Sequence, residues 1–236
     1  MQMIYEGKAK QVYSCEKSDQ VIIHFKDDAT AFNGVKKDIF SGKGLINFAF
    51  SKHFFKILND NGIKSHFIAE INDTSFKATK VKIIPLEVVI RNYAAGSICK
   101  RINCEKGYKF TTPLVEFFLK DDAKGDPLLS KQEIIDQNLA KEEEIIELAS
   151  YALKINEILS DYLYSKDIIL VDFKLEFGKN INGRIILADE ISPDTCRFWK
   201  KDTMESLDKD VYREDKGNLV DTYKKIAEIV GVSYEL

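Results

Sequence analysis

The stretch LVDFKLEFGKNINGRIILADEISP, residues 170–193, carries the clearest strand and turn signals in the chain. Between residues 168 and 177, apolar side chains alternate with Asp172, Lys174 and Glu176. This period of two is typical of a strand with one face in a core. The Asn182-Gly183 pair that follows is the strongest short hairpin signal in the sequence. The alternation predicts that the core-facing residues are Ile169, Val171, Phe173, Leu175 and Phe177.

The length of the hairpin loop decides which charges face each other across the two strands. A two-residue turn at Asn182-Gly183 would place Glu176 opposite Asp189, whereas a four-residue loop would place Lys174 there. Two carboxylates directly opposite each other are destabilising unless a counter-ion holds them. Mg²⁺ binds carboxylates together with substrate phosphates. We therefore predict a Mg²⁺–nucleotide site on this hairpin and, with it, an enzyme that uses ATP.

Composition limits the other classes of function. The 236 residues include 35 basic and 38 acidic side chains, for a net charge of −3, so no overall basic field points to nucleic acid. No apolar run reaches the roughly 18 residues of a membrane span, and the N-terminus lacks the apolar segment of a secretion signal. The cysteines form no C-x-x-C pair, which favours free thiols in a cytoplasmic protein. They are Cys15, Cys99, Cys104 and Cys196.

Strand-like and helix-like segments alternate irregularly along the chain, which indicates an α+β fold. Strand patterns are predicted at 3–5, 11–14, 21–25, 67–71, 75–84, 86–91 and 115–119. Helical spacing is predicted at 44–58, 96–102, 141–165 and 218–230, with Gly231 ending the last helix. We expect a small β-rich lobe at 1–80 packed on a larger mixed α/β lobe at 81–236.

Two segments could bind phosphate groups. In the loop at 6–10, Gly7 would let a phosphate approach the backbone and two lysines would supply charge, although a hairpin tip with exposed lysines is commoner. Arg91 ends an apolar strand, and Ser97 precedes a short helical pattern, a combination that suits a phosphate monoester. A structural ion pair explains Arg91 equally well. The loop at 192–197 follows the carboxylate strand, where binding residues are common, and Trp199 is interpreted as a packing residue.

Eight motifs follow one another along nearly the whole chain. They are YEGKAKQVY (5–13), KDDATAFNG (26–34), GKGLIN (42–47), PLEVVIRNYAAGS (85–97), FLKDDAKGDP (118–127), LVDFKLEFG (170–178), LADEISPDTCR (187–197) and LDKDVYR (207–213). Together they resemble the SAICAR synthetase family. RNYAAGS combined with VDFKLEFG and ADEISPD is highly specific. One departure is Lys200, where the family often has Asp in an Arg-x-Trp-Asp pattern, so this position receives no predicted role.

The resemblance implies a ligase of purine biosynthesis with its ATP site in the cleft between two lobes. ATP, L-aspartate and carboxyaminoimidazole ribotide would give the succinocarboxamide, ADP and phosphate, by way of an acyl phosphate. Phosphoryl transfer of this kind needs Mg²⁺ and cationic side chains, because positioning and charge stabilisation supply most of the catalysis. The family's length in its single-function bacterial form further implies a homodimer.

The resemblance also implies a role for each matching residue. Lys8, Ala9 and Lys10 would cover the ATP phosphates, and the segment around 80–87, with Ile83 and Glu87, would line the adenine pocket. Glu176 and Asp189 would bind Mg²⁺ or the nucleotide, and Lys120 would contact the phosphates or the activated carboxylate. Asp126 would lie beside the imidazole ribotide, with Arg91, Ser97 and Arg197 binding the ribotide phosphate. Lys174 would have a catalytic role close by, and Arg213 is a weaker candidate for substrate binding.

Two other readings use some of the same residues. A small kinase-like phosphotransferase would share the lysine loop and the carboxylates, but the chain has no H-R-D-x-x-x-x-N segment, and Lys174 follows Asp172-Phe173 where a kinase has Gly. A nucleotide-binding regulatory module would not need a second phosphate site around Arg91 and Ser97.

Overall fold

The computed structural model of the chain describes residues 1–31 and 36–234. Phe32, Asn33 and Gly34 of the KDDATAFNG motif lie outside the described residues. The helices are α1 (Lys43–Asp60), α2 (Ser97–Arg101), α3 (Lys131–Asp136), α4 (Glu142–Tyr164), α5 (Asp210–Arg213) and α6 (Leu219–Val230). The strands are β1 (Met3–Glu6), β2 (Lys10–Ser14), β3 (Gln20–Phe25), β4 (Asp28–Ala31), β5 (Lys36–Ile39), β6 (Phe67–Asn72), β7 (Ser75–Thr79), β8 (Lys82–Tyr93), β9 (Lys109–Leu119), β10 (Leu128–Leu129), β11 (Ile168–Lys179), β12 (Ile185–Ala188) and β13 (Cys196–Lys200).

An antiparallel five-stranded sheet, which we call the small sheet, occupies the N-terminal part of the chain. Its strand order is β1-β2-β3-β7-β6. Alternate residues of β3 point into an aromatic core in which Phe25, Phe48 and Phe76 pack together. The predicted strand pattern at 75–84 is interrupted, because β7 ends at Thr79 and β8 begins at Lys82.

A second antiparallel sheet, the large sheet, forms the centre of the molecule. Its order is β10-β9-β8-β11-β12, with β13 paired along the first half of β11. α4 packs on this sheet through the apolar face that its sequence period predicts, including Leu148, Ile155 and Leu159. The helix and strand content and the two sheets confirm the predicted α+β class.

Helix α1 belongs to the same apolar core as the large sheet. Ile46, Phe50 and Phe54 are fully buried in that core together with residues of α4, α6 and β11. Phe48, from another face of α1, packs instead under the small sheet. The helix therefore joins the two sheets, and the division into lobes at 1–80 and 81–236 stays a prediction.

The structure corrects the predicted faces of β11. Ile168, Leu170 and Phe173 lie in the main core, whereas Ile169 and Val171 pack on the opposite side against Trp199. The spacing of three between Leu170 and Phe173 marks a register irregularity in the pairing of β11 with β13. The prediction that Ile169 and Val171 share a face with Phe173 is therefore wrong, because a bulge reverses the alternation.

The hairpin register also differs from both predicted alternatives. Glu176 pairs with Ala188, one residue short of Asp189. The loop has three residues rather than two or four, because the N–H of Asn180 bonds to the oxygen of Arg184 at 3.0 Å and Gly183 takes a left-handed conformation with φ 76°. This is the common three-residue hairpin. The carboxylate directly opposite Glu176 is Glu87, on the other neighbouring strand, β8.

The sequence pattern predicts that Pro85 lies between two strands, at 75–84 and 86–91. In the structure Pro85 lies inside β8. The pairing of β8 with β11 shifts between Glu176 and Gly178, opposite this part of β8. A proline has no N–H to give to a ladder, so an irregular position tolerates it.

The helix predictions hold closely. Asn218 caps α6 by accepting the N–H groups of Val220 and Asp221, and Gly231 follows the helix with φ 75°. Among the described residues, no helix is both long enough and apolar enough to cross a membrane.

Candidate active site

A cleft of about 920 Å³ separates the small sheet from the large sheet. One wall comes from β1, β2 and β3, and the other from β8 and β11. The segment after β12, which includes Asp189, Glu190 and Asp194, closes one side together with residues at and just before α5.

The cleft collects almost every residue that the sequence singled out. The predicted site residues among its lining are Lys8, Ala9, Lys10, Ile83, Glu87, Arg91, Lys120, Asp126, Lys174, Glu176, Asp189, Arg197 and Arg213. Ser97 is not part of the lining. It is exposed at the start of α2, directly after Gly96.

At one end of the cleft, lysines and carboxylates form a group that we call the lysine cluster. Its members are Lys10, Lys120, Lys174, Glu87, Glu176, Asp189 and Glu190. The Nζ of Lys10 lies 2.6 Å from Asp189 Oδ1 and 2.5 Å from Glu190 Oε1. Each lysine comes from a different part of the chain, so the tertiary fold assembles this charge.

Glu176 is the shared carboxylate of this cluster. Its Oε1 accepts from Lys120 at 2.6 Å and from Lys174 at 3.3 Å. Lys174 also donates to Glu87 at 2.6 Å, so its ammonium group lies between the two facing glutamates. The repulsion predicted for a carboxylate pair is therefore present between Glu87 and Glu176, and Lys174 compensates it.

The ammonium groups of the lysine cluster control its ionisation. Burial alone would raise the pKa of Asp189, but Lys10, Lys174 and Lys120 lower it well below its usual range. Burial opposes the charge of Lys174, yet Glu176 and Glu87 raise its pKa well above the ordinary value. Asp189 and Lys174 are therefore charged near neutral pH, and fixed charges of this kind suit electrostatic binding of phosphates.

At the other end, a group that we call the arginine cluster is arranged around Asp172. It consists of Arg91, Arg197, Arg213, Asp172, Asp210 and Glu116. Asp172 Oδ2 accepts from Arg91 at 2.8 Å and from Arg197 at 2.9 Å. Arg91 also donates to Glu116. Arg91 thus forms the ion pairs that the sequence allowed for, and it also lines the cleft.

Gly96 lies against the guanidinium group of Arg197. A Cβ built on Gly96 would be 2.7 Å from Arg197 Nη2, and the backbone there has φ 66°. Only glycine adopts this conformation without strain and leaves room for the arginine. The Ala-Ala-Gly-Ser turn thus serves to admit Arg197, and Ser97 is its exposed neighbour.

The loop at 6–10 also contacts the turn that follows β9. Lys8 Nζ lies 2.6 Å from Asp122 Oδ1, on the turn after β9. In the same turn, the side chain of Asp126 accepts the N–H of Asp121 at 2.9 Å. Asp126 therefore shapes this turn while also lining the cleft.

A buried group behind the cleft was not predicted from the sequence. Lys43, with no exposed surface, places its Nζ 2.6 Å from Asp194 Oδ2, and Tyr223 donates to the other oxygen of Asp194 at 2.6 Å. Lys209 lies 3.7 Å from the same carboxylate and reaches the cleft lining. The GKGLIN stretch was the available signal, since a lysine at the start of an apolar helix is unusual unless it is paired.

Trp199 and Lys200 lie at the end of β13. Trp199 is buried against Ala95, Ile169 and Val171, which confirms its packing role. Lys200 lies 3.5 Å from Glu205, away from the cleft lining.

The carboxylates of the lysine cluster suit a hard cation. Within residues 1–31 and 36–234, no group of three or more acidic, histidine or cysteine side chains is arranged to hold a metal ion. Glu176 and Asp189 both line the cleft, and Mg²⁺ is commonly bound through one or two carboxylates plus substrate phosphates. The cluster contains four carboxylates and three ammonium groups, so it can accept further positive charge.

The chain is similar in sequence and in structure to known proteins. A family model described as SAICAR synthetase matches residues 3–230. A phosphoribosylaminoimidazole-succinocarboxamide synthase from Coprothermobacter proteolyticus is 52% identical over 231 residues, covering 98% of each chain. The crystal structure of such a synthase from Ehrlichia chaffeensis superposes with a TM-score of 0.96 at 43% identity, covering 99% of this chain and 100% of the other. A SAICAR synthetase in complex with ADP gives a TM-score of 0.95 at 49% identity, covering 98% and 99%.

Proposed function

The chain belongs to the SAICAR synthetase family, and we propose that its cleft joins L-aspartate to carboxyaminoimidazole ribotide with conversion of ATP to ADP and phosphate. The observation that carries this proposal is the pairing of two different anion sites in one cleft. The lysine cluster suits a polyphosphate with a cation, and the arginine cluster suits a phosphate monoester. A relative of 49% identity was solved with ADP, which supports ATP as the nucleotide.

The nucleotide would occupy the lysine cluster. Lys8, Ala9 and Lys10 would lie along its phosphates, and Ile83 and Glu87 would border the base. The exposed edge of Ile83 and the backbone of β8 supply an apolar surface next to hydrogen-bonding groups, as nucleotide pockets usually have.

Glu176 and Asp189 would hold Mg²⁺ together with phosphate oxygens. The ion would neutralise charge that builds up on the phosphates during transfer. Within the chain itself, Lys120 and Lys174 flank Glu176, so they fix the carboxylate and present ammonium groups toward the transferred phosphoryl group. This arrangement stabilises charge where it develops, which is usually the largest contribution to such a reaction.

The ribotide phosphate would lie at the arginine cluster. Arg91 and Arg197 each use two N–H groups on carboxylates, and a guanidinium group has five N–H donors. Arg213 lines the cleft and Ser97 does not; Arg213 would border this phosphate, Ser97 would reach it only from outside the lining, and Asp126 would contact the imidazole ribotide. Because both clusters line one cleft, the imidazole carboxylate would face the nucleotide.

The chemical route would pass through an acyl phosphate. An oxygen of the imidazole carboxylate attacks the γ-phosphorus of ATP, a new P–O bond forms, and the bond to ADP breaks. The neutral amine of aspartate then attacks the acyl carbon, a C–N bond forms, phosphate leaves with the C–O electron pair, and the amine loses a proton. The lysines compensate the negative charge in both steps.

A coupled ADP-release assay tests this function. ADP formation should require both L-aspartate and the carboxylated ribotide, and the product should contain the new amide bond. ADP release with the ribotide alone, accompanied by a stable phosphorylated acceptor, would instead indicate a phosphotransferase. Nucleotide binding without any turnover would favour a regulatory module.

We further propose that the chain works in the cytoplasm as a homodimer. Four free cysteines, among them the buried Cys196, suit a reducing compartment. A chain of 27.0 kDa should elute in size-exclusion chromatography with light scattering at twice that mass. A monomer that keeps full activity on dilution would contradict the dimer.

A further inference from the structure

Cys99 and Cys104 occupy two positions that the end of a helix brings together. α2 ends at Arg101, Ile102 is its C-cap, and Asn103 follows in the left-handed conformation with φ 51°. The backbone N–H of Cys104 then donates to the carbonyl oxygen of Cys99 at 3.0 Å. This bond around a left-handed residue is one of the two bonds of the Schellman motif, in which the side chains of the two joined positions frequently contact each other.

The side chains of the two cysteines follow that geometry. Both are partly exposed, and neither forms a disulfide. Loss of solvent raises the pKa of the Cys104 thiol, and the charge and hydrogen bond of the neighbouring Cys99 thiol raise it further. The backbone hydrogen bond brings the two residues side by side across a tight turn, and because both side chains are partly exposed a reagent in solution can reach them.

We propose that Cys99 and Cys104 form a reversible dithiol–disulfide pair at the end of α2. With a small disulfide such as oxidised glutathione, one thiolate attacks and releases one glutathione, giving a mixed disulfide. The second thiolate attacks the protein sulfur of that mixed disulfide and releases the second glutathione. Two protein thiols and one glutathione disulfide thus become one protein disulfide and two glutathione thiols.

The backbone already favours the second step over a lasting adduct. Disulfides require α-carbons about 4.4–6.8 Å apart, and the hydrogen bond between residues 99 and 104 keeps their backbones adjacent. The resolving thiol is thus present wherever the first adduct forms. Cys196 offers no such route, because its side chain is buried and a disulfide in solution cannot reach it.

The cysteine pair lies close to the arginine cluster, so a modification of either thiol would affect that cluster. α2 has only five residues, and its N-terminal side begins beside the Gly96–Arg197 contact. A glutathione adduct left on this helix would add bulk and negative charge next to the arginine cluster. The local disulfide removes that adduct and keeps the turn in the shape that its backbone already has.

Mass spectrometry of the full-length enzyme tests the proposal. The protein is treated with oxidised glutathione at about pH 8, where thiolate is available, and is then alkylated under denaturing conditions. The wild type should lose two hydrogen atoms, alkylate only at Cys15 and Cys196, and yield one linked tryptic species. Trypsin cuts at Lys100 and Arg101 between the cysteines, so only a disulfide keeps the two peptides together.

Two variants make the result decisive. Cys104→Ser removes the resolving thiol and should accumulate a glutathione adduct on Cys99, whereas Cys15→Ser should behave as the wild type does. Adducts that persist on wild-type Cys99 and Cys104, alkylation of all four thiols, or a link to Cys15 or Cys196 would each overturn the proposal.

Discussion

The lysine cluster and the arginine cluster carry similar charges but hold them in different ways. In the lysine cluster, Lys120 and Lys174 are 37% and 29% exposed, and each ammonium group is a compact point charge. In the arginine cluster, Arg91 and Asp172 are 6% and 5% exposed, and the planar guanidinium groups of Arg91 and Arg197 each join two carboxylates. The comparison suggests that ligands rearrange contacts at the lysine end, whereas the arginine end is a fixed framework.

The prediction with the largest expected effect tests whether the arginine cluster is a fixed framework. Asp172→Asn keeps the shape of the side chain but leaves Arg91 and Arg197 without the carboxylate that they share. Removing one partner from a buried ion pair costs about 3–5 kcal/mol, so we expect a loss of about 3 kcal/mol in the free energy of unfolding by urea denaturation. Asp161→Asn, on the exposed face of α4, is the matched control and should change little. Equal stability of the two variants would contradict a structural role for Asp172.

The second prediction tests whether ligands replace contacts within the lysine cluster. Glu176→Gln should lower kcat by about 100-fold, a typical loss when a group that stabilises developing charge is removed, and should weaken the dependence of activity on Mg²⁺. Its stability loss should be smaller than that of Asp172→Asn, because Lys174 keeps its contact with Glu87. Glu147→Gln on exposed α4 serves as the control. Wild-type activity of Glu176→Gln at limiting Mg²⁺ would remove the metal role.

The third prediction concerns the contact between Gly96 and Arg197. Gly96→Ala would introduce a Cβ 2.7 Å from Arg197 Nη2 at a backbone conformation suited to glycine. Backbone strain of this kind costs about 1–3 kcal/mol, and displacement of Arg197 should raise the KM for the ribotide more than it changes kcat. Gly62→Ala is an informative control, because Gly62 has φ 82° with no atom within 4 Å. If both variants raise the ribotide KM equally, the contact with Arg197 is not responsible.

The elements that could be predicted from the sequence are those set by local interactions. α4 follows its apolar period, and α6 follows the Asn218 cap and Gly231. The hairpin at Asn182-Gly183 was predictable as a turn, but its register was not. The dipeptide suits both two-residue and three-residue loops, and Gly183 takes the left-handed place of the longer one.

The features that the sequence did not reveal depend on distant residues. The bulge in β11 arises in its pairing with β13, which local alternation cannot show. Lys43 and Asp194 form a buried pair across 151 positions of the chain. Motif resemblance led to most of the cleft residues, but only the tertiary structure shows that Glu87 is the carboxylate facing Glu176.

The last prediction is the acid sensitivity of the lysine end. His66 is buried beneath Asp189, with its Nε2 3.0 Å from the carbonyl oxygen of that residue, and burial lowers its pKa to about 4. The folded state therefore binds fewer protons than the unfolded state between about pH 4 and the ordinary histidine value of 6.5. Stability should accordingly fall with decreasing pH across that window, by roughly 1–2 kcal/mol between about pH 7 and about pH 5. Urea denaturation at a series of pH values measures this slope. His66→Gln carries no titrating ring and should flatten it, so an unchanged slope in the variant would assign the acid sensitivity to other groups.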